Sequence, residues 1–321
     1  MVDRNTTHNT IRKFILVIGL FLILAGGWGI SHDSDSGSTW SLSDDGTLTY
    51  SQMGDIDYTI YDIDINNNSN ASKNTDATTN NKDRNHSSHL VTFTSRNTDI
   101  LSILTLPQIE GTVPGIVILP GAGVTKEDKQ DFAAMLASMG YASLTLDQRN
   151  LGRIDPQHDL EVFRAGNEPV EYMMVHDVLK AVDVLRDQPA IDEERIAIMG
   201  FSNGGRFAII ATAIDPSIKG VVAVSTCGYG TGSIDPGMVA DTAGYEFYRS
   251  IDPDTYIGKI SPRRTVMIHS FNDTIIEYDA ALATFMRAGE PKAMYNISDH
   301  THGYTGSMSP CLEKGLSDIL E

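Results

Sequence analysis

Cysteine is scarce in this sequence: Cys227 and Cys311 are the only two in 321 residues. There is also no His-Glu-x-x-His run and no Gly-x-x-x-x-Gly-Lys-Ser/Thr loop. The usual signatures of a thiolate metal centre, a zinc protease and a phosphate-binding loop are therefore missing, and no metal or organic cofactor is expected. Basic residues are few as well, 24 Lys and Arg against 42 Asp and Glu, for a formal charge of −18. Such a surface repels nucleic acid and anionic lipid, so neither is expected as a partner. Internal repeats are absent. What is present, 41% apolar residues over this length, suits a globular body with a substantial core.

One long apolar run stands out, from Phe14 to Ile30. Arg4, Arg12 and Lys13 precede it, and no Lys or Arg follows until Lys73. Positive charge stays in the cytoplasm, so the body of the chain is expected outside. A helix over this run spans roughly 26 Å, against about 30 Å for a bilayer core. Two readings compete: an uncleaved signal anchor, which leaves a single-pass membrane protein, or a signal peptide cut after Ala25-Gly26-Gly27, which leaves a secreted one. Export permits Cys227 and Cys311 to pair, whereas two buried free thiols need no export; sequence spacing does not choose between them.

Residues 31–50 are rich in Ser, Asp and Gly and read as a solvated linker. From 51 to 321 a single domain is expected. Ile56, Tyr58 and Ile60 alternate with polar neighbours, which predicts a strand with one buried face. The Asn/Ser/Thr-rich tract 66–88 has almost no apolar side chains and reads as a loop; Asn67, Asn70 and Asn85 lie in glycosylation sequons there. Beyond it, Leu90–Thr94 and Ile100–Leu106 form a hairpin pattern. Short apolar strands (115–119, 142–146, 196–199, 221–224, 266–268) then alternate with helical stretches. One helix is capped by Thr125 and Asp128 and carries Phe132, Met135, Leu136 and Met139 on one face, with Gly140 as its stop. Another carries Met174, Val178, Val182 and Leu185, and further helices fit 203–214, 278–288 and 309–320. Wholly apolar strands alternating with helices predict an α/β fold: a mostly parallel central sheet with helices on both faces.

The strand ending at Met199 runs into Gly200-Phe-Ser-Asn-Gly204, and a helix-compatible run follows. This is Gly-x-Ser-x-Gly in strand–turn–helix context, the pattern that lifts a serine hydroxyl out of a sheet on a strained turn. Side chains two residues either side of Ser202 would collide, hence glycine at 200 and 204. The helix starting at Asn203 aims free N–H groups at the same point.

With that motif the chain resembles the α/β-hydrolase superfamily, in particular dienelactone-hydrolase-like enzymes and the catalytic domain of prolyl oligopeptidases. The resemblance runs from about residue 90 onward. Its landmarks are Leu119-Pro-Gly-Ala-Gly123, Asp147-Gln-Arg-Asn-Leu-Gly152, the Ser202 motif, His269-Ser-Phe-Asn-Asp273 and Asp299-His-Thr-His-Gly-Tyr304. It implies Ser202 as nucleophile, Asp273 as acid (Asp299 the weaker alternative) and His302 as base, with His300 the alternative. It implies an oxyanion hole from the backbone N–H groups of Ala122, or Gly123, and Asn203. Many relatives have His-Gly where this chain has Pro120-Gly121, a departure that a backbone donor tolerates. His269 and the pair Asp147 and Arg149 read as structural, with a substrate-carboxylate role for Arg149 or Arg153 as an alternative.

The implied activity is serine-hydrolase cleavage of a small carboxylic ester or acetylated sugar through an acyl-enzyme. A serine peptidase or amidase, and a non-catalytic envelope binding module of the same fold, remain as alternatives. About forty residues separate the strands near Val224 and Val266, too few for a large cap. Tyr229, Tyr245, Phe247, Tyr248 and Tyr256 in that stretch form either a small apolar lid or part of the core. Nothing in the sequence points to an oligomeric state.

Overall fold

The computed structural model describes residues 39–51, 53–62, 85–298 and 302–321. The apolar run 14–30, most of the Asn-rich tract and residues 299–301 lie outside the described residues. Among those described, no helix is long and apolar enough to cross a membrane.

In chain order the elements are β1 (Trp40–Leu42), β2 (Leu48–Tyr50), β3 (Tyr58–Asp62), β4 (His86–Ser95), β5 (Thr98–Pro107), β6 (Val113–Leu119), α1 (Gln130–Ser138), β7 (Ala142–Leu146), α2 (Pro156–Arg164), α3 (Val170–Arg186), β8 (Ile191–Phe201), α4 (Asn203–Ile214), β9 (Gly220–Val224), α5 (Thr242–Ser250), α6 (Pro253–Tyr256), β10 (Arg264–Ser270), α7 (Tyr278–Arg287), β11 (Lys292–Ile297) and α8 (Ser309–Leu320). Nine strands form one sheet in the order β11-β10-β9-β8-β6-β7-β5-β4-β3. From β7 through β11 every pairing is parallel, and β5, β4 and β3 extend the sheet antiparallel. The mostly parallel sheet expected from sequence is the one observed.

Strand periodicity sorts the core onto two faces. Ile116, Ile118, Met199, Val222 and Ile268 pack with Phe132 and Leu136 of α1 and with Leu312 and Leu316 of α8. Their strand neighbours Val117, Ile198, Val221 and Met267 pack on the other face with Val178 and Val182 of α3 and Phe207 of α4. Strands covered on both faces need apolar side chains at every position, which is why they read as unbroken Val/Ile runs. The Thr125–Asp128 pair forms, the Thr125 N–H donating to Asp128 Oδ2 (2.9 Å) and the Asp128 N–H to Thr125 Oγ1 (3.4 Å), but it closes the short turn Glu127–Lys129 ahead of α1, whose own N-cap, Lys129, makes no side-chain cap bond.

Two local expectations are corrected and one open alternative is resolved. The stretch read as a linker contains the β1–β2 hairpin, and it is docked. Leu48 is fully buried, its N–H donates to Tyr256 Oη (2.9 Å), and Tyr50 Oη donates to the Tyr172 carbonyl (2.5 Å). The Trp40 ring lies 5.0 Å from that of Tyr172. Polar Ser, Asp and Gly dominate the stretch by number, but Trp40, Leu42, Leu48 and Tyr50 pack on the core, and Asp45 adds an ion pair with Lys259. Next, β3 is the edge strand, and Ile60 and Tyr61 stay 39% and 55% exposed; an edge strand has a neighbour on one side only. Of the two readings left open for the aromatics between β9 and β10, core packing is the one observed for Tyr245, Phe247 and Tyr256, while Tyr229 and Tyr248 are half-buried. Phe247 packs on Phe163 and Tyr172 with ring centroids 5.6 and 6.2 Å apart. Cys227 and Cys311 are free thiols that pack against opposite faces of the sheet.

Strand order also locates a site. Chain leaving β6 passes to β7 on one side, and the crossover through α2 and α3 returns to β8 on the other. The carboxyl ends of β6 and β8 therefore diverge, and in open α/β sheets a ligand crevice forms where the order reverses.

Candidate active site

At that divergence β8 ends and Ser202 takes φ 52° and ψ −120°, a region that L side chains rarely occupy. Its N–H is held by the Val224 carbonyl at the end of β9 (2.8 Å). Two glycines make the turn sterically feasible. A Cβ on Gly200 would overlap the Gly204 carbonyl, and a Cβ on Gly204 would overlap the carbonyls of Leu119 and Pro120. No rotation of a methyl group relieves an overlap with backbone. Gly200→Ala is therefore expected to lower stability by about 3 kcal/mol, at the upper end of overpacking costs. Urea unfolding checks this; an unchanged midpoint would mean the elbow is looser than its geometry implies.

His302 meets Ser202 across a hundred residues of chain. Its Nε2 lies 2.8 Å from Ser202 Oγ, and its Nδ1 lies 2.8 and 3.1 Å from the two carboxylate oxygens of Asp273. An ionised carboxylate only accepts, so Nδ1 carries the hydrogen and Nε2 is left free to accept the serine proton. Asp273 is buried, and its Oδ1 also accepts the N–H groups of Ile275 (2.8 Å) and Ile276 (2.9 Å). Burial alone would raise its pKa. The hydrogen bonds from His302 and from these two amides outweigh burial and hold the carboxyl below its usual value. Beneath it, the His269 Nε2–H donates to the Ile276 carbonyl (3.0 Å) and fixes the turn that presents both amides. Asp299 and His300, the alternatives for acid and base, lie outside the described residues.

The loop after β6 packs against the elbow: a Cβ on Gly121 would sit 3.4 Å from Ser202 Cβ. The two backbone donors considered for that loop now differ. The Gly123 N–H is taken by the Leu151 carbonyl (2.6 Å). The Ala122 N–H has no acceptor among the described residues. On the other side, Asn203 is the first residue of α4, where amides have no intrahelical acceptor.

The turn after β7 supports this loop. Asp147 accepts from the Lys126 N–H (2.7 Å) and Nζ (2.8 Å), and Gln148 Nε2 donates to the Pro120 carbonyl (2.5 Å). Arg149 is spent on Asp177, through Nε (2.7 Å) and Nη2 (3.0 Å). Arg153 is exposed, with its guanidinium against Gly123.

A charged group beneath the elbow was not visible in the sequence. Arg206 of α4 donates to Glu171 Oε2 (2.8 Å) and to Asn203 Oδ1 (2.7 Å), and Asn203 Nδ2 donates to the Gly152 carbonyl (2.7 Å). Arg206 and Glu171 side chains are 6% and 0% exposed, and the guanidinium lies 4.3 Å from the Tyr229 ring. Burial raises the Glu171 pKa; the facing Arg206 opposes that rise. A Glu at the start of one helix and an Arg in the next carry no sequence mark of pairing, because only the packing of α3 on α4 brings them together.

The arrangement is a hydroxyl, an imidazole oriented to take its proton, a buried carboxylate holding that imidazole, and two backbone amides beside the hydroxyl. Such a constellation can form and break an acyl–oxygen bond without a metal. Among the described residues no cluster of His, Cys, Asp or Glu could hold a metal ion.

Strand order and helix layers together are those of the α/β-hydrolase fold. The profile of the dienelactone hydrolase family matches residues 101–242, the stretch that holds the β6 loop and the Ser202 elbow. Among curated proteins, an uncharacterized protein, YfhR, of Escherichia coli O157:H7 is 26% identical over 157 residues, covering 46% of this chain and 55% of YfhR. A probable 2-oxo-3-(5-oxofuran-2-ylidene)propanoate lactonase of Bradyrhizobium sp. is 28% identical over 120 residues, covering 37% of this chain and 48% of the lactonase. These matches span only about half the length of the curated relatives. Among solved structures, acetyl xylan esterase 1 of Thermoanaerobacterium sp. superposes with a TM-score of 0.65 over 84% of this chain and 89% of the esterase, at 14% identity. That identity establishes the shared fold and nothing finer.

Proposed function

We propose that the protein is a serine hydrolase that cleaves small carboxylic esters through an acyl-enzyme on Ser202. The observation that carries this reading is the continuous hydrogen-bonded line from Ser202 Oγ through His302 to Asp273, each link 2.8 Å long. His302 Nε2 takes the serine proton as Oγ attacks the ester carbonyl. The oxyanion rests on the N–H groups of Ala122 and Asn203. Collapse of the tetrahedral adduct expels the alcohol, which receives the proton from His302, and a water activated by the same imidazole releases the acid. Each oxyanion donor contributes about 2.7–4 kcal/mol to the transition state.

Ester rather than peptide is supported by the names of the similar curated proteins, a lactonase and two thiohydrolases against one dipeptidyl-aminopeptidase. The exposed Ala122 and Gly123, with no aromatic lid over them among the described residues, support an acyl site open to small substrates. The apolar run Phe14–Ile30 with its flanking charges supports a location outside the cytoplasm, tethered or secreted.

A fluorophosphonate probe, a p-nitrophenyl ester series and a matching p-nitroanilide peptide series test this reading. The enzyme is expected to label at Ser202 and to turn over short acyl esters well ahead of the anilides. Faster anilide turnover would favour the peptidase reading. No labelling and no turnover would leave the non-catalytic binding module. Protease added to intact cells is expected to digest the domain; full protection would place it inside.

A further inference from the structure

Ser225 belongs neither to the Ser202 motif nor to the three residues joined above, yet it touches the loop that carries the base. It follows directly on β9, is fully buried, and has φ 51°. Its N–H donates to the Ile268 carbonyl (3.0 Å) at the end of β10. Its Oγ accepts the Gly303 N–H (3.0 Å) and faces the Gly303 carbonyl at 3.4 Å. Gly303 is the residue after His302 and has φ 92°, a conformation suited to glycine. Among the described residues, the Ser225 hydroxyl is the only partner of the Gly303 amide and carbonyl. The residue before Ser225 is Val224, whose carbonyl holds the Ser202 N–H. Two adjacent residues at the end of one buried strand thus grip the nucleophile's backbone and the base's backbone.

A serine at positive φ is conformationally costly where glycine would cost little. What the serine adds is the hydroxyl, and the hydroxyl is spent on the histidine loop. We propose that Ser225 is a positioning residue that sets the His302 imidazole at proton-transfer distance from Ser202. The inference rests on the function proposed above, with His302 as base. A displacement of about 1 Å at a reacting group can cost on the order of 10²-fold in rate.

The test uses the full-length protein in detergent with p-nitrophenyl acetate, comparing Ser225→Ala and Ser225→Gly with the unaltered chain and with His302→Ala. Both variants lack the hydroxyl, but Ser225→Gly also relaxes the backbone, so it stands in if Ser225→Ala folds poorly. Both are expected to lose roughly 10- to 100-fold in kcat with KM within about twofold, and to label more slowly with the fluorophosphonate in the same proportion. Wild-type kcat in both variants would overturn the proposal. So would a loss in Ser225→Ala that is absent from Ser225→Gly, since backbone strain would then be the cause, and so would a KM rise that accounts for the whole loss. The His302→Ala control separates the two levels: if it stays active, the base assignment falls and Ser225's role falls with it. If it is inactive while the Ser225 variants are normal, only the Ser225 proposal fails.

Discussion

Ser202→Ala is expected to lower kcat for a p-nitrophenyl ester by about 10⁶-fold, with His302→Ala close behind and the double variant no worse than either. The expectation follows from the way the two groups act. Ser202 Oγ and His302 Nε2 are 2.8 Å apart, and neither does chemistry alone. Removal of one leaves only the oxyanion donors and substrate binding. Single-turnover and steady-state kinetics of the three variants check the non-additivity. If losses add, each residue works independently and the shared mechanism is wrong.

A stability effect should accompany the loss. Ser202 sits at φ 52°, and that strain costs about 1–3 kcal/mol. Ser202→Gly is therefore expected to melt higher than Ser202→Ala while being equally inactive. A lower melting temperature for Ser202→Gly would show that the elbow is not strained at this position.

Asp273→Asn is expected to lower kcat by about 10⁴-fold while leaving KM and the fold largely intact. The hydrogen bonds around the carboxylate explain why an isosteric change is so damaging. Oδ1 accepts two backbone N–H groups, from Ile275 and Ile276, so the carbonyl oxygen of a side-chain amide must occupy that position. The amide NH₂ is then forced toward His302 Nδ1, where Oδ2 had accepted a hydrogen. The imidazole responds by moving its hydrogen to Nε2, and Nε2 can no longer receive the serine proton. Near-normal activity would overturn both the tautomer argument and Asp273 as the acid. The carboxyl's lowered pKa has a further consequence. Because the folded state holds it below its unfolded value, its stabilising contribution is present at neutral pH and is lost as pH falls below the ordinary carboxylate range. Asp273→Asn should flatten that acid limb of the stability curve.

Much of this site is readable in residue order because it is built at strand ends. Ser202 follows β8 and Asp273 lies just past β10, while His302 lies past β11. A short apolar run is easy to see, and Ser202 directly follows one at the carboxyl edge of the sheet, where ligands bind; Asp273 and His302 lie several residues past their strands and are picked out by the family resemblance. Gly200 and Gly204 are legible for a different reason: only one residue type avoids the backbone overlap at each position. The preference for Ala122 over Gly123, in contrast, gains its physical reason only from the fold, because the difference is a hydrogen bond to Leu151 some thirty residues away. The hairpin at Trp40–Tyr50 was missed because composition averages over residues, while docking depends on three of them, Trp40, Leu48 and Tyr50, reaching Tyr172 and Tyr256. Helices α2 and α5 were missed for a similar reason. Both are short, and their caps, Asp155 and Asp241, look like loop residues until their carboxylates are seen accepting helix N–H groups.

The sequence by itself determined the class of fold and the Ser202 elbow, because period and turn sterics are local properties; Asp273 and His302 followed from the resemblance to a known family. Only the tertiary structure decided which amide is free to hold an oxyanion, that Arg206 and Glu171 pair beneath the nucleophile, and that Ser225 grips the histidine loop. Those are contacts between segments far apart in the chain. Their partners are chosen by how the helices and strands pack, and nothing in the neighbouring residues records that choice.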